Sequence, residues 1–252
     1  MIGYLICTSP RSGSSALCSA LRSTGVMGWP VEHFNRSYVA KLVVPPSDLE
    51  TYVRAVIRGP GISMGVCASK LFWFQLEFAK RSLAAEMSVA QVFELLLKTC
   101  DHPKVVRLVR KDKMRQAISY ARAVKSGVWR VSRATENPPN VLDASDFASV
   151  ESWIARFLAW EGNWDALLER FNVAPILLCY EDIMGDWRSG VDSVAARLGI
   201  DLTDVDRAGI ITETARQSDP ATEEFLQAFD SWRSTRPSHD AMMHVCPERP
   251  SG

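Results

Sequence analysis

The chain has 252 residues, 47% of them apolar, and carries 29 basic against 29 acidic side chains. A chain of this size buries about 70–75% of its unfolded surface, and its neutral balance excludes a whole-molecule field that would draw it to nucleic acid or an anionic membrane. No apolar run reaches the ~18 residues of a membrane span, and the opening MIGYLICTSP has neither the basic start nor the cleavage site expected of a signal peptide.

Residues 3–8 (GYLICT) form a near-continuous apolar run, the pattern of a strand buried on both faces. A helix is expected over 14–24, stopped by Gly25. Further strands are expected at 62–69, 104–109 and 174–179. From Met114, Ala117, Ile118, Ala121, Val124 and Val128 recur with helical spacing. From Trp153, Phe157, Trp160, Trp164 and Leu168 do the same. Aromatic residues at that spacing are more often core than a sugar-stacking platform. Strands alternating with helices imply an α/β fold with a mostly parallel central sheet flanked by helices.

Residues 1–252 are read as a single domain, with 130–150 as a candidate mobile loop and 237–252 as a loose tail. The six cysteines form no C-x-x-C pair, which suits reduced thiols in a cytoplasmic protein. His239, His244 and Cys246 match no common zinc spacing, so no metal is expected.

Between the first strand and helix stands TSPRSGSS, residues 8–15. It is P-loop-like but lacks the Gly-Lys-Ser/Thr ending of nucleoside triphosphatases. A helix start offers unpaired N–H groups and a positive dipole end to an anion. Gly13 permits close backbone approach, Ser12, Ser14 and Ser15 bring hydroxyls, and Arg11 brings a forked cation. Ordinary serine capping of the helix is the plainer alternative.

Residues 104–133 hold ten Lys or Arg and one acid, Asp112. A solvated face is the bland explanation. Arg107 and Arg110, however, lie in and just after a strand, where charge is expected to face a partner. An anion at the strand's carboxyl end is one such partner. Arg115, Ser119 and Arg122 share a helical face opposite the apolar stripe.

PRSGSS, together with Arg110 to Ser119 as R-x-D-K-x-R-Q-A-x-S, resembles sulfotransferases that use 3′-phosphoadenosine 5′-phosphosulfate. The segments TGVMGWPVEHF (24–34) and GVCASKLFW (65–73) are similar to those of the bacterial trehalose 2-sulfotransferase family. The specific likeness covers roughly the first 130 residues. YED (180–182) and ARQSD (215–219) extend it more weakly, and YED is read as an anchor of its strand–helix turn.

The resemblance implies a P-loop-like sulfotransferase fold. It also implies a transfer from 3′-phosphoadenosine 5′-phosphosulfate that releases adenosine 3′,5′-bisphosphate and needs no metal. Glu32 is implied as the base, with partial burial expected to raise its pKa, and His33 as its competitor. Arg11, Ser12, Gly13, Ser14 and Ser15 are implied to hold the 5′-phosphosulfate, with Arg11 also aiding departure of the phosphate. Arg110 and Ser119 are implied to hold the 3′-phosphate, and Arg216 to close over the nucleotide. His33, Phe34, Lys70 and Trp73 are candidate acceptor contacts.

HFNRSYVAK (33–41) departs from a trehalose enzyme. The acceptor therefore stays open among a sugar, a glycolipid and another small alcohol. FWFQLEF (72–78) either lines its pocket or packs in the core. A homodimer is compatible with the family. The alternatives are a non-catalytic or regulatory binder of the bisphosphate nucleotide and, less favoured, a nucleotide kinase-like enzyme. Nucleic acid and an integral membrane segment are not expected.

Overall fold

The computed structural model describes residues 2–39, 48–58, 62–63, 65–83, 86–99, 103–129, 141–213 and 220–235. Arg216, the tail with His239, His244 and Cys246, and residues 130–140 of the candidate loop lie outside the described residues.

In chain order the elements are β1 (Ile2–Thr8), α1 (Ser14–Ser23), α2 (Arg36–Val39), α3 (Leu49–Arg58), β2 (Ile62–Ser63), β3 (Val66–Phe72), α4 (Trp73–Leu83), α5 (Val89–Thr99), β4 (Lys104–Val109), α6 (Lys113–Ser126), α7 (Phe147–Arg170), β5 (Ile176–Cys179), α8 (Tyr180–Ile183), α9 (Trp187–Leu198) and α10 (Pro220–Ser234). Among the described residues these make one sheet of order β2-β3-β1-β4-β5. β3, β1, β4 and β5 are parallel, and β2 runs antiparallel at the edge. The fold is therefore α/β, a mostly parallel sheet flanked by helices.

β1 lies between β3 and β4, so its carboxyl end is a crevice where chains leave in opposite directions, the place where open α/β sheets bind ligands. Successive β1 side chains face opposite layers. Leu5 and Cys7 pack with α3, α4, α5 and Trp164. Tyr4 and Ile6 pack with Leu17, Leu21, Val191 and Val194 from α1 and α9. A third cluster joins α6, α7 and α10 through Ala117, Ile118, Phe157, Phe225 and Phe229.

Several expectations are corrected. The strand placed at 62–69 is two strands of opposite direction, because the chain turns at Gly65. The candidate loop is helical from Ala144 onward, where Asp143 accepts from Ser145 N at 2.8 Å and its own N–H donates to Asp146 at 2.9 Å, forming a capping box. Val124 is 51% exposed and Val128 lies beyond Gly127, so the last turn of α6 projects past the core. Of the tryptophan stripe, Trp164 is fully buried against Trp73 at 5.3 Å, while Trp153 and Trp160 are half-buried.

Candidate active site

The helix start after β1 is built by backbone geometry. Arg11 has φ 62° and Gly13 has φ 81°, both left-handed. Gly13 is the N-cap of α1 and makes no side-chain cap. The serines are therefore not there to cap the helix. A Cβ on Gly13 would lie 2.4 Å from the Tyr180 ring, so only glycine fits this turn. Below the loop, Gln116 Nε2 donates to Pro10 O at 2.7 Å and to Ser9 Oγ at 2.9 Å. Ser9 donates to Glu161 at 3.2 Å, and Lys113 pairs with the same carboxylate at 2.8 Å. Ser12 is turned inward, its hydroxyl 2.7 Å from Thr8 Oγ1. Ser14 is buried, and Ser15 is partly open.

On one side of this loop cations crowd together. Arg11 Nε donates to Ser119 Oγ at 2.9 Å, and its Nη1 donates to the Trp129 carbonyl at 2.6 Å. Burial first, and then the neighbouring charges of Arg110 and Arg122, lower the Arg11 pKa to about 10. Arg110 lies over the Tyr180 ring at 4.7 Å and donates to Arg11 O at 3.1 Å. Its Nε is buried with no hydrogen-bond partner among the described residues. A buried guanidinium N–H without an acceptor is costly unless something fills the place. The turn carrying Arg110 is held by Glu181, which accepts from Lys111 N at 3.0 Å and Asp112 N at 3.1 Å. Glu181 of YED thus anchors the neighbouring turn between β4 and α6 rather than its own strand–helix turn, and Tyr180 supplies the aromatic floor.

On the other side lies a carboxylate. Val31 bridges to Ser69 in β3, and Lys70 N donates to Val31 O at 2.9 Å, which brings Glu32 to the carboxyl end of that strand. The approach is close: a Cβ on Gly28 would meet Val66 O at 2.9 Å. Glu32 Oε1 lies 2.8 Å from Lys70 Nζ, and Oε2 accepts from Gln75 at 2.9 Å and Asn35 at 3.1 Å. Burial by itself would raise the Glu32 pKa, but the Lys70 charge and these three hydrogen bonds outweigh it and the net shift is downward. The expected upward shift is thereby corrected. His33 is 2% exposed, with Nδ1 3.1 Å from Ser69 Oγ, and burial pushes its pKa down to about 4.

Three further expectations change. Phe34 packs edge-on to Tyr52 at 5.4 Å and Trp73 against Trp164, both inside the core, so neither ring is offered to an acceptor. Arg107 does not face an anion, because α7 gives it Asp165 Oδ1 at 3.0 Å and the Glu161 carbonyl at 3.3 Å. Much of the basic 104–133 segment is neutralised by acids distant in sequence. Arg115 meets Glu223, Lys113 meets Glu161 and Lys125 meets Asp146. Sequence reasoning passed over Gln116, Gln75 and Asn35. Gln116 lies inside the R-x-D-K-x-R-Q motif, which was the available signal, whereas nothing local marks Gln75 or Asn35.

The Stf0 sulphotransferase family pattern matches residues 3–231. The chain is 27% identical over 262 residues to the trehalose 2-sulfotransferase of Mycolicibacterium smegmatis, covering 90% of this chain and 93% of that one. It is 28% identical over 232 residues to the trehalose 2-sulfotransferase of Mycobacterium tuberculosis, covering 79% and 84%. A solved sulfotransferase from Alicyclobacillus acidocaldarius aligns over 92% of each chain, with 16% identity and a TM-score of 0.48. The chain belongs to the Stf0 sulphotransferase family.

Proposed function

We propose that this Stf0 family member transfers the sulfuryl group of 3′-phosphoadenosine 5′-phosphosulfate to a hydroxyl of a carbohydrate-like or other small-alcohol acceptor. The observation that carries the reading is the buried Arg110 Nε, without a hydrogen-bond partner among the described residues, beside Arg11, which in turn contacts Ser119. Such a group fits a phosphate, whose oxygens accept charge-assisted bonds from guanidinium. The donor supplies an activated sulfuryl group on a phosphate leaving group.

In this reading Arg110 and Ser119 hold the 3′-phosphate. The start of α1 with Gly13, Ser14 and Ser15, together with Arg11, holds the 5′ end and stabilises charge as the S–O bond to phosphate breaks. Ser12 serves that turn from inside, through its bond to Thr8. Glu32 takes the acceptor proton. Its lowered pKa keeps it ionised near neutral pH. His33 is also unprotonated there, but it is 2% exposed whereas the Glu32 side chain is 17% exposed, which favours the carboxylate as the group that reaches substrate. A sugar hydroxyl is the favoured acceptor class because both curated relatives are trehalose 2-sulfotransferases.

Thermal unfolding with adenosine 3′,5′-bisphosphate tests the donor. Binding to the native state alone raises stability by about 2.7 kcal/mol at a hundred times Kd. A larger shift with magnesium–ATP would favour the kinase-like alternative. Glu32→Gln is expected to lower transfer by about 10²–10⁴-fold without weakening bisphosphate binding. Full activity in that variant removes Glu32 as base. Bisphosphate binding with no transfer to any screened alcohol would favour a regulatory binder.

A further inference from the structure

Lys70 occupies an unusual position between the two halves of the site. Its side chain is 3% exposed, and Nζ lies 2.8 Å from Glu32 Oε1 and 3.4 Å from Ser15 Oγ in the first turn of α1. The Phe72 ring, 5.1 Å away, closes another flank. A buried ammonium needs a counter-charge, and removing that counter-charge is strongly unfavourable. Lysine is also a compact point charge on a flexible stem, able to exchange one acceptor for another without rebuilding a fork of donors. A carboxylate held by an ammonium and two amides is a reluctant proton acceptor. Among the described residues, the groups that face Glu32 include Lys70 from β3, Gln75 from α4 and Asn35 from its own segment. His33, the neighbouring titratable side chain, is turned to Ser69.

We propose that Lys70 is a shared counter-charge: it holds the Glu32 carboxylate while the loop carries no anion, and turns to the anion beside Ser15 once the donor is bound, releasing Glu32 to take a proton. The inference rests on the sulfotransferase reading of the site. Lys70 thus contacts the donor directly and acts on proton transfer through Glu32, and it makes readiness of the base depend on occupancy of the donor cradle. An acceptor arriving first meets a carboxylate still engaged by Lys70.

The test is a four-member cycle of bisphosphate affinity measured by calorimetry: wild type, Glu32→Gln, Lys70→Met and the double variant. With Lys70 present, Glu32→Gln is expected to tighten binding about three- to tenfold, because the carboxylate no longer competes for the ammonium. Lys70→Met is expected to weaken binding by about tenfold or more, the loss of a charged contact. In the Lys70→Met background, Glu32→Gln should change affinity by less than about twofold. Equal tightening in both backgrounds would mean simple charge repulsion and would overturn the exchange, as would unchanged affinity in Lys70→Met.

If Lys70→Met does not fold, a carbon-13 titration of the Glu32 carboxyl in the wild type carries the test. Its midpoint should rise when the bisphosphate is added, and an unmoved midpoint overturns the proposal. None of these readouts requires Glu32 to be the base. Retained transfer in Glu32→Gln would therefore sink the base assignment alone, whereas a wild type that binds no bisphosphate would sink the donor reading.

Discussion

The two sides of the carboxyl edge treat charge in opposite ways. On the Glu32 side, the carboxylate, Lys70, Gln75 and Asn35 satisfy one another. On the Arg110 side, Arg110 and Arg122 both repel Arg11, and Arg110, drawn by the charges of Asp112 and Glu181, donates to a carbonyl and lies over an aromatic ring while its Nε has no hydrogen-bond partner among the described residues. The first side is complete without a ligand. The second holds excess positive charge in a partly dry place, where an anion gains most from it. The lesson is that a site for a charged cosubstrate is marked less by how many basic residues a segment has than by where the fold leaves a buried donor unsatisfied among the described residues, as at Arg110 Nε. Arg115, five residues from Arg110, is ordinary by that standard, since Glu223 and Asp112 both meet it.

The largest expected effect comes from the loop that spans both sides. Gly13→Ala forces a Cβ into the Tyr180 ring at a left-handed φ, and should cost about 3 kcal/mol, read from urea unfolding. On the carboxylate side, His33 supplies a pH signature. Its pKa falls from 6.5 to about 4 on burial, so the unfolded chain binds more protons between those values. The His33 contribution is full above the unfolded pKa and is lost as pH falls through the folded one, on the order of 3 kcal/mol in total. Glu32, also lowered, has the same sign further into acid. A His33→Gln variant should flatten the stability–pH curve between about pH 6.5 and 4, and an unchanged curve would show that His33 is not buried neutral.

On the cation side, Arg110→Ala should weaken bisphosphate binding by about 1.5–3 kcal/mol. Its melting temperature should change little, because the lost attraction of Asp112 and Glu181 offsets the relief of repulsion on Arg11. A fall in stability with intact binding would reverse the contrast between the two sides. The smallest effect is expected at Arg115→Ala, under about 1 kcal/mol in stability and none in bisphosphate affinity, since its ion pairs are only partly buried. A large loss of affinity there would show that Arg115, despite its acids, contacts the anion.

By itself the sequence determined the local grammar. A buried apolar run, a glycine-bearing turn and a helix with its stripe specify a strand–loop–helix, because each depends on residues within a few positions of one another. That was enough to locate the loop at 8–15 and the Arg110–Ser119 segment, and to read the α/β fold. Only the tertiary structure decided which charges meet. Arg107 finds Asp165 at a separation of 58 residues, Ser9 finds Glu161 at 152, and Gln75 finds Glu32 at 43. These pairings removed Arg107 from the candidate site, turned the expected rise of the Glu32 pKa into a fall, and left Arg110 Nε without an acceptor among the described residues. Electrostatic environment is a property of neighbours in space, and the order of residues along the chain does not state it.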